Sequence, residues 1–168
     1  MLPYRVKQVW RFIRRTLTEE DVEWVKERLI QQQQALFFAQ QASDQAHAVT
    51  VARTLEAQGH KDERLVRAAL LHDVGKAPGV SLPYRTVLVL LNKFAPGTLS
   101  TLSPHTDGWL APLARAYHHP ALGADLARRA GSHPDVVALI EHHQCRNQAL
   151  KPELQEMLRA LQRVDNAN

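Results

Sequence analysis

Apolar residues recur along most of the chain at the three- and four-residue intervals that one face of an α-helix requires. Val22 and Val25 begin such a series after Thr18, whose hydroxyl is suited to cap the first turn of a helix. Further helices are predicted over about 44–58 and 62–75, each closed by a glycine. No run of alternating apolar and polar residues is long enough to indicate a β-sheet, so the pattern predicts an all-α fold.

Prolines mark the predicted helix starts in the second half of the chain. Pro120, Pro134 and Pro152 each stand where a first helical residue is predicted. Proline is favoured at that position because the amide hydrogen it lacks would have no partner within the helix. His133 precedes one of these prolines and is expected to cap the helix that follows. A separate helix is predicted over 108–117, ahead of the first proline.

The chain is predicted to divide into an N-terminal helical extension, residues 1–42, and a main helical domain, residues 43–168. The extension begins with apolar residues such as Val6 and Trp10 on one helical face and basic residues on the others. A helix of this kind over residues 1–17 either packs on its own domain or contacts anionic lipid or nucleic acid. Packing on its own domain is the favoured interpretation.

The composition is that of an ordinary globular domain, with 168 residues, 45% hydrophobic and 23% charged, and a formal net charge of +4. The single cysteine, Cys145, excludes an internal disulfide framework and a cysteine-rich zinc module. With no apolar run of membrane-spanning length and no secretory pattern at the N-terminus, a cytoplasmic protein is expected. Nine histidines beside one cysteine favour a metal site built from nitrogen and oxygen ligands.

The strongest chemical signal is an apolar helix that ends in adjacent His72 and Asp73, followed by Gly75 and Lys76. Burial of a carboxylate beside an imidazole is costly unless another charge pairs with them, and a divalent cation does so. Because adjacent helical residues point about 100° apart, the two side chains could bind one cation, or Asp73 could bridge two. The alternative is an ordinary helix end at which His72 suits the helix dipole and Asp73 is exposed.

Three other places on the predicted helices carry candidate ligands at core-facing positions. His47 shares its helix face with Val51, one turn later. His142 and His143 are adjacent on an apolar helix, where both cannot face solvent and both cannot be buried cheaply. Asp165 lies at the end of the last predicted helix.

This order of residues resembles the HD-domain superfamily of metal-dependent phosphohydrolases, whose signature is an isolated His, an adjacent His-Asp and a distant Asp. The matching residues are His47, His72, Asp73 and Asp165. Residues 72–76 look like the subgroup with His-Asp-Ile-Gly-Lys. Residues 119–124 and 140–144 are similar to the His-Pro-x-x-Gly-Ala and His-His-Glu elements of the HD-GYP branch, with Gln144 in place of the Glu. The Gly-Tyr-Pro motif itself is absent, which puts cyclic di-GMP in doubt as the substrate.

The resemblance implies a helical bundle with a metal site between its helices. The ligands it implies are His47, His72, Asp73 and Asp165 for a first ion, and His119, His142 and His143 for a second ion that Asp73 bridges. Ser43 stands where members with three ions carry a Glu, so two ions are expected. A ligand set of this kind suits iron, manganese, zinc, nickel or cobalt better than magnesium. If the local helix is shifted, His118 is the ligand in place of His119.

The activity that the resemblance implies is hydrolysis of a phosphoester, in a nucleotide, a cyclic nucleotide or a related small molecule, by a hydroxide that bridges two ions. Asp73 and Lys76 are then the catalytic residues, with Lys76 holding a phosphate oxygen as a point charge. The alternative for Lys76 is an ordinary lysine at a helix end. Two other functions stay open: a non-catalytic metal-binding regulatory module, and a basic helical protein that binds nucleic acid through residues 1–17.

Overall fold

The computed structural model describes residues 16–76, 108, 111–145 and 149–168, which form seven helices and no strand. In chain order these are α1 (Glu19–Arg28), α2 (Gln31–Phe38), α3 (Ala42–Ala57), α4 (Glu63–Leu71), α5 (Ala111–Arg129), α6 (Pro134–His142) and α7 (Pro152–Ala167). The predicted all-α fold is confirmed. The basic helix predicted at the start of the chain lies almost wholly outside the described residues.

Local capping signals set several of the helix ends as predicted. The Thr18 hydroxyl accepts a hydrogen bond from the Asp21 amide at 3.1 Å, and the Asp21 carboxylate accepts one from the Thr18 amide at 3.1 Å. This reciprocal pair is a capping box. α3 stops before Gly59, whose φ of 90° suits glycine. At the start of α6, the ring of His133 accepts a hydrogen bond from the Asp135 amide at 3.1 Å.

The predicted helix start at Pro120 is wrong. α5 runs through this proline as one helix from Ala111 to Arg129. An interior proline removes a backbone hydrogen bond, but the buried face of the helix continues across it, with Ala114 on one side and Ala124 on the other. Tertiary packing of that face outweighs the local signal.

The predicted end of α4 at Gly75 is also wrong. The helix stops at Leu71, and His72 is its C-cap. The chain then continues in tight turns, in which the Lys76 amide donates to the Asp73 carbonyl at 2.9 Å. These turns place residues 72–76 against α5.

One apolar core lies between the helices. Val25 of α1, Leu29 at its C-terminal cap and Phe37 of α2 belong to the same buried cluster as residues of α3 to α7. Full burial of a side chain such as Phe37 contributes roughly 1.5–3 kcal/mol. The described part of the predicted extension therefore packs on the main domain, and the division after residue 42 stays a prediction. None of the described helices has the length and apolar character of a membrane-spanning segment.

Arg64 joins the first turns of three helices. Its guanidinium donates to Asp62 at 2.7 Å beside α4, to Asp135 at 2.8 Å on α6, and to Glu153 on α7. The hydrogen bonds that Arg64 donates to these carboxylates raise the pKa of Arg64, and the hydrogen bond from Arg64 lowers the pKa of Asp62. The N-terminal ends of α4, α6 and α7 thus meet on one side of the protein.

Candidate metal centre

Histidine and aspartate side chains converge where the opposite ends of these helices meet. The converging residues are His47, His72, Asp73, His119, His143 and Asp165. His72, Asp73, His119 and His143 are each at most 3% exposed. Burial of this many ionisable groups is unfavourable unless each is hydrogen-bonded or paired with an opposite charge.

The first group consists of His47, His72 and Asp73, whose ligand atoms lie close enough together to hold one ion. The Nε2 atom of His72 is 3.3 Å from Oδ2 of Asp73. Asp165 flanks the group: its Oδ1 is 2.8 Å from Nε2 of His47 and 3.4 Å from Nε2 of His72. The four residues that the resemblance implies as ligands of a first ion therefore lie together.

The second group consists of Asp73, His119 and His143. Oδ1 of Asp73 is 3.4 Å from Nε2 of His119 and 3.9 Å from Nε2 of His143. Asp73 thus turns one carboxylate oxygen towards each group and belongs to both. Its Oδ2 also forms an ion pair with the ammonium group of Lys76.

Backbone carbonyls determine which ring nitrogen of two histidines faces the site. Nδ1 of His72 donates to the Ala69 carbonyl at 2.8 Å, and Nδ1 of His143 donates to the Ile140 carbonyl at 2.7 Å. In the neutral rings, Nε2 then carries a lone pair directed at Asp73. The Nε2 atoms of both rings and Oδ1 of Asp73 are buried without a hydrogen-bond partner.

These orphaned atoms fit a cation. Lone pairs that face a carboxylate oxygen repel it unless positive charge lies between them. Two ligand atoms at ~2.1 Å from one transition-metal ion are themselves ~3.0–3.4 Å apart, and Asp73 lies 3.3 Å from His72 and 3.4 Å from His119. The imidazole and carboxylate donors suit the transition metals better than magnesium.

The ends of three helices also favour a cation here. His72 is the C-cap of α4, His143 is the C-cap of α6, and Asp165 lies in the last turn of α7. The C-terminal end of a helix carries partial negative charge, which stabilises a nearby cation. Because Arg64 holds the opposite ends of these helices together, their negative ends point towards one region.

The turn after α4 reaches α5 because two glycines meet there. A β-carbon on Gly75 would overlap the carbonyl oxygen of His119 and lie 2.5 Å from the amide nitrogen of Gly123. A β-carbon on Gly123 would be 3.1 Å from the amide nitrogen of Gly75. Glycine at position 75 therefore permits the approach that brings Asp73 to His119.

Without a cation, the ammonium group of Lys76 and a proton on His72 supply positive charge beside Asp73. Burial lowers the pKa of His72, but the charges of the nearby Asp73 and Asp165 carboxylates outweigh burial and raise that pKa to about 10. Burial raises the pKa of Asp73, but His72 and His119 outweigh this and hold it well below its usual range. Burial, with repulsion from the neighbouring His72, lowers the pKa of His143 to about 3.

We expect cation binding to release the proton of His72. Below its pKa of about 10 the ring is protonated in the cation-free protein, so a cation must displace that proton. The affinity should therefore rise about tenfold per pH unit between pH 7 and 9 and level off above about 10. His143, with its pKa of about 3, adds no proton in this range. Co²⁺ titrations at several pH values, with calorimetry in buffers of different ionisation enthalpy, measure the released protons.

The matched control for this titration is His133→Asn, since His133 is an exposed helix cap outside the cluster and asparagine also caps helices. The variant should release as many protons as the unmodified chain. An affinity that does not change between pH 7 and 9 would contradict the prediction.

His142, His118 and Lys76 occupy different positions relative to the cluster. His142 is half-buried and belongs to neither of the groups found among the described residues; its backbone carbonyl accepts a hydrogen bond from Gln162 at 3.3 Å. Its role as a ligand stays a prediction. On α5 it is His119 that joins the second group, while the ring of His118 packs against Tyr117. Lys76 lies at the cluster, where its ammonium group forms an ion pair with Asp73.

Two glutamines near the cluster were not expected there. The side chain of Gln144 contacts His119, and the side chain of Gln162 donates to the backbone carbonyls of His142 and Cys145 at the end of α6. Gln162 precedes Asp165 by three residues on α7, and this helical spacing is the signal that could have placed it beside the cluster. Gln144 directly follows the predicted ligand His143 and takes the place of the Glu in the His-His-Glu element, and that position is its signal in the sequence.

The fold and the site define an all-α protein built around two overlapping groups of His and Asp that could hold metal ions. The family model described as HD domain matches residues 45–167. The chain therefore belongs to the HD domain family. The match runs from α3 to α7 and contains both groups. No curated protein and no solved structure matches the chain significantly.

Proposed function

We propose that the protein is a metal-dependent phosphohydrolase that cleaves a phosphoester of a small, nucleotide-like molecule. Asp73 carries the proposal, because it is buried and shared between two groups of buried ligands. A pair of neighbouring divalent ions is a common arrangement in enzymes that hydrolyse phosphoesters. Membership of the HD domain family supports the same class of function.

His47, His72, Asp73 and Asp165 would hold a first ion, and His119, His143 and the shared Asp73 would hold a second. His142 remains a further candidate for the second ion from the resemblance. When bound, divalent ions supply Lewis acidity and lower the pKa of a water molecule. They also make the site attractive to a phosphate group.

The residues of the chain then have distinct roles. Asp73 stays anionic, because its neighbours hold its pKa well below the usual range. His72 and His143 keep their Nδ1 hydrogens on backbone carbonyls, which fixes the ring orientation and presents Nε2 to the site. Lys76 is half-buried and pairs with Asp73 at the cluster, and in this proposal its ammonium group holds a phosphate oxygen as a point charge.

The test combines metal analysis with a panel of phosphoesters. Protein purified without oxygen and reconstituted with iron, manganese or cobalt should contain about two ions per chain. It should hydrolyse at least one nucleotide-like phosphoester, lose that activity with a chelator and regain it with the metal. Protein that binds two ions but turns over none of the panel would overturn the enzymatic proposal in favour of a regulatory module. Nucleic-acid binding that survives chelation and is lost on deletion of residues 1–17 would favour the third hypothesis.

A further inference from the structure

Gln144 stands at the solvent side of the second group. It follows His143 directly, and its amide Nε2 lies 3.3 Å from Nε2 of His119. That ring nitrogen is the same atom that lies 3.4 Å from Oδ1 of Asp73. The three members of the second group are buried, whereas the side chain of Gln144 is exposed. A neutral amide therefore borders the place where a second ion would be held.

A cation would reverse the preferred orientation of this amide. With its nitrogen towards His119, the amide of Gln144 donates to the lone pair of the ring. A cation on that lone pair would remove the acceptor and repel the amide hydrogens. Rotation of the last side-chain torsion by 180° exchanges Nε2 and Oε1, and this torsion is broad and soft. The oxygen would then face the cation.

The spacing is that of two ligands of one ion. Ligand atoms on a common transition-metal ion are ~3.0–3.4 Å apart, and the Gln144 amide lies 3.3 Å from the His119 nitrogen. We propose that Oε1 of Gln144 is a neutral, exchangeable ligand of the second ion, and that a phosphate oxygen replaces it when substrate binds. The second half of this proposal rests on the phosphohydrolase function proposed above.

Charge gives the reason for an amide at this position. Asp73 is the single carboxylate in the second group as the described residues define it, and the first group shares it. A divalent ion held there keeps a net positive charge, which a neutral ligand does not diminish. A carboxylate in place of the amide would bind the ion more tightly and would repel an incoming phosphate.

Two substitutions of Gln144 separate its effect on the affinity for the metal from its effect on the affinity for phosphate. Gln144→Ala should weaken the weaker of the two Co²⁺ sites by about tenfold, and Gln144→Glu should strengthen that site by about tenfold. Inorganic phosphate is the probe for the exchange step. Its affinity for the Co²⁺-loaded protein, followed by the visible spectrum of the metal, should fall about tenfold in Gln144→Glu. Gln58→Ala is the matched control, because Gln58 is also exposed at the end of a helix but lies outside the groups.

The outcomes distinguish this inference from the proposed function. Co²⁺ affinities that agree within twofold among the unmodified chain and the Gln144 variants would overturn the ligand role, even if the unmodified chain binds two ions and hydrolyses its substrate. Unchanged phosphate affinity in Gln144→Glu would overturn the exchange step. An unmodified chain that binds no second Co²⁺ ion would overturn the proposed function together with this inference. Circular dichroism confirms that the variants are folded before any of these comparisons.

Discussion

Asp73→Asn is expected to remove both metal ions from the protein and to lower its hydrolytic activity more than about 100-fold. The carboxylate is buried and takes part in both groups, one oxygen towards each. Asparagine has the same shape but lacks the negative charge, and it offers one oxygen in place of two. Metal content by elemental analysis and turnover of the best phosphoester measure the effect.

A neighbouring aspartate sharpens this test. Asp165 contacts His47 and His72 in the first group, and it does not belong to the second group that the described residues form. Asp165→Asn should therefore weaken the binding of one ion and leave the binding of the other unchanged, whereas Asp73→Asn should weaken the binding of both ions. Asp125→Asn is the control, because Asp125 lies on α5 and pairs with surface arginines. If the Asp73→Asn protein still contains two ions, the prediction that both ions need the carboxylate of Asp73 is wrong.

Gly75→Ala is expected to impair metal binding although it alters no ligand. The added β-carbon would overlap the carbonyl oxygen of His119, and a backbone atom cannot move aside as a flexible side chain can. The turn must then shift away from α5, which separates Asp73 from His119. We expect the free energy of unfolding to fall by about 1–3 kcal/mol, as in other overpacked sites. The affinity of the second ion should fall more than that of the first, because His47 and His72 do not lie on α5.

The control for this substitution separates stability from site geometry. Gly131 has a φ of 75°, so Gly131→Ala should cost about 1–2 kcal/mol through backbone strain. It lies in the turn between α5 and α6, outside the two groups. Gly131→Ala should therefore melt earlier and still bind both ions with unchanged affinity. Thermal melts and Co²⁺ titrations of the two alanine variants make the comparison. A Gly75→Ala protein that binds both ions as tightly as the unmodified chain would contradict the steric explanation.

Local sequence signals determined much of the helical framework. The capping box at Thr18, the stop at Gly59 and the cap at His133 each act through contacts within a few residues, so their effect can be read from neighbouring positions. The adjacent His72 and Asp73 also follow from the chain alone, because an apolar helix that ends in such a pair needs a compensating charge. The resemblance to the HD-domain superfamily then indicated the ligands that are distant in sequence, such as His47, His119 and Asp165.

Tertiary structure decided what depends on contacts between distant segments. α5 continues through Pro120 because its buried face spans the proline, and α4 ends at Leu71 because the next residues turn against α5. The same packing brings His143 together with Asp73 and His119, whereas the role of His142 as a ligand stays a prediction. The position of Asp73 between both groups, and of Gln144 beside His119, exists only once the helices are assembled. The chain by itself specified which side chains could bind metal, and packing decided which of their atoms face each other.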